Sequence, residues 1–383
     1  MNQPIQLDLN TTYYLLILNG GIGARIISSA FIATLQKLRK LDNNHSAPII
    51  IVDNAIVGPM CSESMKTQNI HHITINDNPN SWPHHPSLLK DENGNVEHPV
   101  WLKSYRDLYK TENKNLHDII RNNWDRCYSI DYCFSLDKLL HQHRLKKSKE
   151  SFVAYHYGKI ASLEYLGNTP MLKVTQYNKE LDSFIKGLSR PYILCHLGVD
   201  LNDGDMMSPI NYRFFKTFSI ARWAEIVAKL GNKYEFVQVY ANKFNVDIPG
   251  MKSVKVTDLN PVLQLMENKK CAFTLSIDNY LHHLSAAIKK PSLVLWTSTS
   301  PHVWGWAQQW HGTPHFHITN QYSCPEIYCR RPGTGDIDAN SRNWMCPFEY
   351  NCGQSISVDQ VLREVKKVEA HIEENKNSNQ ITF

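Results

Sequence analysis

The chain has 383 residues, 42% apolar and 20% charged, the composition of a soluble globular protein with room for two ordinary α/β domains. No apolar run reaches the length of a bilayer span, the opening MNQPIQLDLN lacks the layout of a secretory signal, and nine cysteines are an odd count for a disulfide framework, so a cytoplasmic location is expected. The net charge of +5 is mild and dispersed, compatible with an anionic small substrate, an anionic polymer such as nucleic acid, or no charged partner at all.

Tyr13 to Leu18 is an apolar run of buried-strand type. It leads into Asn19-Gly20-Gly21-Ile22-Gly23, then a helical pattern from about Arg25 to Leu41, then a second strand from Pro48 to Val52 that closes at Asp53. This opening predicts a Rossmann-like N-terminal domain. The segment from about His71 to Pro99 is rich in His, Asn, Pro and Asp and reads as long loops, while Leu116 to Leu140 returns weakly to helical spacing. The basic run His141 to Lys149 reads as a solvated helix end. A second domain is expected after Gly187-Leu188-Ser189-Arg190. Its strands are Tyr192 to Leu197, Phe236 to Tyr240 and Cys271 to Ile277, and its helices Ile220 to Leu230 and Leu259 to Met266. Val358 to Glu374 is a charged amphipathic helix. The expected divisions are 1–188, 189–355 and 356–383.

The most informative stretch is Ser276 to Pro301. The strand ends in Asp278, a helical segment follows, and Pro291 opens another strand, Leu293 to Trp296, that stops in the polar loop Thr297 to Ser300. Parallel sheets bind ligands beyond the carboxyl ends of their strands, and Asp278 and Thr297 to Ser300 both fall there, on neighbouring strands if the crossover has the usual hand.

Lys216-Thr-Phe-Ser-Ile-Ala-Arg-Trp223, Asp278 to Ala287 and Thr299-Ser300-Pro301 with Trp304-Gly305 occur in the order and spacing of motifs from the heptosyltransferase-like glycosyltransferases of family 9. The chain resembles that family over most of Tyr192 to Pro301 and in the glycine-rich opening. The resemblance implies a GT-B fold, two Rossmann-like domains facing across a cleft, with a C-terminal helix and a Cys-containing loop added here. It also implies inverting transfer of a sugar from a nucleotide-diphosphate donor, ADP- or UDP-linked, to an acceptor hydroxyl on a glycan, protein or nucleic acid.

The residues agree with that chemistry. A diphosphate leaving group builds negative charge, which Lys216 can meet as a mobile point charge. The turn Asn279, Tyr280 and Leu281 opens a helix whose free amides suit phosphate. Thr299 and Ser300 add hydroxyl donors. By the resemblance, Asp278 and the backbone after it orient the sugar, His283 helps to hold the donor, and Gly21 and Gly23 let the backbone approach it. Read without the resemblance, Asp278 is a helix cap, His283 a core histidine and Lys216 a surface lysine.

Two departures stand out. Asn279 and Tyr280 replace threonine and glycine, and Tyr280 is expected to narrow the sugar pocket or stack on the base. At the first glycine turn the family carries a catalytic aspartate, whereas Gly23 is followed by Ala24. An acceptor hydroxyl still needs a base, worth about 10² to 10⁴ in rate, and the candidates are Asp53, His98 and Asp107. The missing aspartate leaves two alternatives: a sugar-nucleotide epimerase of the same fold, or a non-catalytic relative that binds sugar nucleotides or glycans.

Cys324 and Cys329, with Cys346 and Cys352, can supply four thiolates to a structural zinc or iron, though the spacings within each pair are long and free thiols or disulfides are the alternative readings. One branch of the resembling family holds a metal on cysteines near its C-terminus. Asp203-Gly-Asp205 reads as a turn, so no catalytic metal is expected.

Overall fold

The computed structural model describes residues 7–18, 21–53, 57–74, 116–130, 143, 145–198, 218–240, 247–320, 353 and 355–380. The chain divides into two compact units, one of residues 1–136 and 153–175, the other of 137–152 and 176–383.

The first unit is a parallel sheet of β1 (Tyr14–Leu18), β2 (Ile49–Asp53), β3 (Ile70–Thr74) and β4 (Cys127–Ile130) in the order β3-β2-β1-β4. β1 and β2 read YLLIL and IIIVD and are buried throughout, as expected of parallel strands covered on both faces. Helices α1 (Ile22–Ser29), α2 (Ile32–Leu41), α3 (Gly58–Ser64), α4 (Leu116–Asn122) and α5 (Val153–Ala161) complete the unit.

Three expectations change here. The helix expected from Arg25 to Leu41 is two helices. Ala30 and Phe31 donate to Ile27 and Ser28, tightening the chain so that Phe31 turns fully into the core beside Tyr165. The segment expected as loop from His71 begins as edge strand β3, with Ile70 and Ile73 buried. The helical reading of Leu116 to Leu140 gives way after Asn122, while its part at 131–140 lies outside the described residues. The Asn123 carboxamide donates to the Ile119 carbonyl and accepts the Tyr13 amide, so a side chain takes over backbone groups at the helix end. The chain then enters β4 against β1.

The second unit holds a six-stranded parallel sheet: β5 (Tyr192–His196), β6 (Glu235–Tyr240), β7 (Met251–Lys255), β8 (Cys271–Ile277), β9 (Ser292–Trp296) and β10 (His315–Thr319), in the order β10-β9-β8-β5-β6-β7. Its helices are α6 (Lys179–Lys186), α7 (Ile220–Leu230), α8 (Leu259–Glu267), α9 (Tyr280–Ala287), α10 (Pro301–Trp304), α11 (Gln308–His311) and α12 (Val358–Gln380). Trp223, Ile226 and Val227 form the buried stripe of α7. Val358, Val361, Val365 and Val368, at helical spacing on α12, close the same core. Strands β7 and β10 had no counterpart in the sequence reading. They are edge strands with partly exposed residues, a weak periodic signal.

The chain runs outward through β5, β6 and β7, then returns to place β8 on the other side of β5 before continuing to β9 and β10. The strand order therefore reverses between β5 and β8, and an open parallel sheet leaves a crevice at its carboxyl edge at such a point. Among the described residues no helix is long and apolar enough to cross a membrane.

Candidate functional site

The reversal point brings together His196 at the end of β5, Asp278 and Asn279 after β8, and Thr297 to Ser300 after β9. Strands β8 and β9 are hydrogen-bonded neighbours, so the two loops picked out in the sequence do lie side by side. A polar triad in the core fixes α9 above them: Thr274 Oγ1 lies 2.8 Å from Ser285 Oγ and 2.9 Å from Ser292 Oγ.

Asn279, not Asp278, caps α9. Its Oδ1 accepts the Leu281 amide at 2.9 Å. Its Nδ2 reaches across to the end of β5, 3.1 Å from His196 Nδ1 and 3.3 Å from the His196 carbonyl. A threonine has no such amide, which gives the Asn279 departure a physical role in tying β5 to β8. It also corrects one expectation, because the Leu281 amide is taken by the cap and is not offered to phosphate. Tyr280 is 9% exposed and meets the His196 ring edge-on at 5.0 Å, so it packs against the end of β5.

With the cap supplied by its neighbour, Asp278 is released to bond His282, Oδ1 to Nε2 at 3.1 Å, with side chains 5% and 0% exposed. His283 lies against His282, ring centroids 3.8 Å apart. Its Nδ1 accepts the Trp306 indole N–H at 3.0 Å. Asp278, His282 and His283 have ligand atoms within 4.8 Å of one another, a spacing a divalent cation can use. The Trp306 bond argues against that use. With Nδ1 accepting, a neutral His283 carries its proton on Nε2 and presents a donor there rather than a lone pair.

Behind His283 stands a buried aromatic wall. Trp296 Nε1 donates to His317 Nδ1 at 2.9 Å, and His317 Nε2 donates to the Trp306 carbonyl at 3.0 Å. Phe152 packs on Trp306 and His311, with centroids 4.7 and 4.6 Å away. Burial, reinforced by neighbouring positive groups, pulls His311 and His317 down to about 4, and His315 well below the usual imidazole value. Gly305 is required here, since a Cβ would stand 2.5 Å from the Pro301 carbonyl and 3.0 and 3.1 Å from His317 and Trp296. His196, His282 and Trp306 were not anticipated. Only the strand-end position of His196 carried a signal, and Trp306 is brought in by the fold alone.

The loop after β9 is buried although polar. Ser300 Oγ accepts the His302 amide at 3.2 Å and caps α10, while Thr299 Oγ1 has no hydrogen-bond partner among the described residues. A buried hydroxyl left unpaired costs about 1–3 kcal/mol, which suits a group that completes itself on a ligand.

In the first unit Gly21 opens α1 as its N-cap, with open space where a Cβ would stand, and Gly23 lies within that helix. Asp53, offered above as a base, is 1% exposed. One oxygen pairs with Arg25 Nη1 at 3.2 Å and the other accepts the amides of Val57 and Gly58. It is placed as a cap and ion-pair partner. Asp53→Asn should therefore change any transfer rate by less than about tenfold, where loss of a general base costs about 10² to 10⁴. Steady-state kinetics of this variant distinguishes the two. Lys216, His98, Asp107 and the four cysteines Cys324, Cys329, Cys346 and Cys352 lie outside the described residues.

No protein-family profile and no curated protein matches the sequence. Among solved structures the chain is similar to the dodecameric iron-containing heptosyltransferase TibC of enterotoxigenic E. coli H10407, solved with ADP-D-β-D-heptose, at 13% identity and a TM-score of 0.57, covering 95% of this chain and 77% of that one. It is similar to E. coli ADP-heptose LPS heptosyltransferase II at 16% identity and a TM-score of 0.51, covering 95% and 100%. A family 9 glycosyl transferase from Veillonella parvula aligns at 14% identity and a TM-score of 0.52, covering 95% and 98%. The fold is thus that of the two-domain GT-B glycosyltransferases.

Proposed function

We propose that the chain is a glycosyltransferase that moves a sugar, heptose or a related one, from a nucleotide-diphosphate donor to an acceptor hydroxyl, with inversion. The observation that carries this is the carboxyl edge of the sheet at the β5–β8 reversal, where Asp278 and Thr299 follow neighbouring strands and Thr299 keeps a buried hydroxyl with no hydrogen-bond partner among the described residues. The fold likeness to ADP-heptose enzymes supports the donor class.

In this reading the second unit binds the donor and the first the acceptor. Asp278, anchored by His282, accepts hydroxyls of the transferred sugar. His283 Nε2–H and the Thr299 hydroxyl donate to the sugar or the diphosphate. Lys216 neutralises charge on the leaving diphosphate, and Asp107 or His98 takes the acceptor proton. The four thiolates of Cys324, Cys329, Cys346 and Cys352 are a donor set suited to a structural zinc or iron, as iron in TibC supports, and metal content of Cys→Ser variants tests this. The absence of an aspartate at Ala24 favours a second reading, donor binding without turnover.

Thermal shift with ADP-, UDP- and GDP-sugars is the test. Stabilisation by one nucleotide class is expected, about 2.7 kcal/mol at a hundredfold excess over Kd. No stabilisation by any class would sink the proposal, and binding with no transfer or hydrolysis would select the second reading.

A further inference from the structure

The opposite edge of the second sheet holds a cavity of about 990 Å³. It lies where β5, β6, β8, β9 and β10 begin, at Pro191, Tyr234, Cys271, Pro291 and Pro314, and residues 366–376 of α12 form its outer wall. Six lysines line it, Lys233, Lys269, Lys289, Lys290, Lys366 and Lys376, against two glutamates, Glu369 and Glu373. No arginine does.

The two glutamates are already used. Glu369 pairs with Lys233 at 2.9 Å and accepts the Tyr234 hydroxyl, and Glu373 pairs with Lys376 at 2.9 Å. Lys290 Nζ donates to the Cys271 carbonyl at 2.8 Å. The ammonium groups of Lys269, Lys289 and Lys366 have no ion-pair or hydrogen-bond partner among the described residues. With those two glutamate pairs formed, the charge left on this concave surface is all positive, which raises the local potential and draws counter-ions. With the whole chain at only +5, this concentration is not a by-product of composition.

A second observation points to the same place. Lys289 has φ +54, the left-handed conformation, at the turn that ends α9. Glycine normally fills that position because a side chain is strained there. Here a lysine does, followed by a second lysine, and both line the cavity. Lysine ammoniums on flexible stems suit charge spread over several phosphates, whereas planar bidentate recognition of a single carboxylate calls for arginine.

We propose that this cavity binds a ligand carrying several phosphate groups, at a site separate from the crevice and independent of the transfer reading. Calorimetric titration of the full chain with sodium tripolyphosphate should give a Kd at least about tenfold tighter than inorganic phosphate, weakening as salt rises. In a Lys269→Gln, Lys289→Gln, Lys366→Gln variant, tripolyphosphate affinity should fall about tenfold or more while any ADP binding is unchanged, which separates this site from a nucleotide site. Lys289→Gly should raise the melting temperature, because it relieves the left-handed strain, and weaken tripolyphosphate binding severalfold. Cosedimentation with phosphatidylglycerol but not phosphatidylcholine vesicles, lost in the triple variant, would identify lipid headgroups as the phosphate source. Absence of binding to tripolyphosphate and to phosphatidylglycerol alike overturns the proposal, as does a folded triple variant that binds as tightly as the parent chain.

Discussion

At pH 4.5 the second unit is expected to have lost about 5 kcal/mol of the stability it has at pH 7.5. His311 and His317 are buried, and desolvation holds both near pH 4, helped by Lys149 beside His311 and by His282 and His302 beside His317. The Trp306 carbonyl, which accepts from His317, acts on that ring in the opposite sense, more weakly than burial. In the unfolded chain the same rings take a proton near 6.5. Between these values the unfolded state binds more protons, so stability is complete above about pH 6.5 and falls as pH approaches 4. His315 adds loss in the same direction. Glu235 contributes only lower, where pH drops through the carboxylate range towards its value of about 2. Burial alone would raise that value, and the Lys252 and Ser189 donors outweigh it. Guanidinium unfolding followed by tryptophan fluorescence at several pH values reads the loss. His311→Phe should flatten the slope by about one proton. A profile level from pH 6.5 to 4.5 in the parent chain would show that these rings are not held neutral.

Asp278 offers the sharpest separation of structure from function. Asp278→Ala takes the carboxylate acceptor from His282 Nε2–H, 0% exposed, and is expected to cost about 1–3 kcal/mol, as leaving a buried donor without its acceptor does. Asp278→Asn keeps an acceptor for His282 Nε2–H and should cost under about 1 kcal/mol. If the carboxylate orients the transferred sugar, the Asn variant nonetheless loses about 10² in transfer rate, because a donor held slightly out of line forfeits the alignment. Chemical denaturation and single-turnover transfer, measured on both variants, give the two readings. An Asn variant with unimpaired transfer would reduce Asp278 to a brace for α9.

Much of the site was legible because its signals are local. Asp278 closes an apolar run and begins a helix, and Thr297 to Ser300 end the next run, so strand-end chemistry could be read from order alone. The capping assignment was less legible, since both Asp278 and Asn279 suit an N-cap and only the backbone conformation decides between them. Extended dihedrals at Asn279 (φ −155°, ψ −175°) place it there, and the neighbouring aspartate turns inward. Weakly periodic segments were misread where one side chain intervened, as with Asn123 ending α4.

The sequence by itself determined the two parallel α/β units, the limits of β8 and α7, and the pairing of the loops after β8 and β9, because burial on both faces leaves continuous apolar runs and turns leave polar ones. Only the tertiary structure decided what those loops do. Trp306 reaches His283 across 23 positions and Asn279 reaches His196 across 83. Whether a buried imidazole is a donor, a ligand or a base depends on which partner occupies its other nitrogen, and no local pattern records that contact.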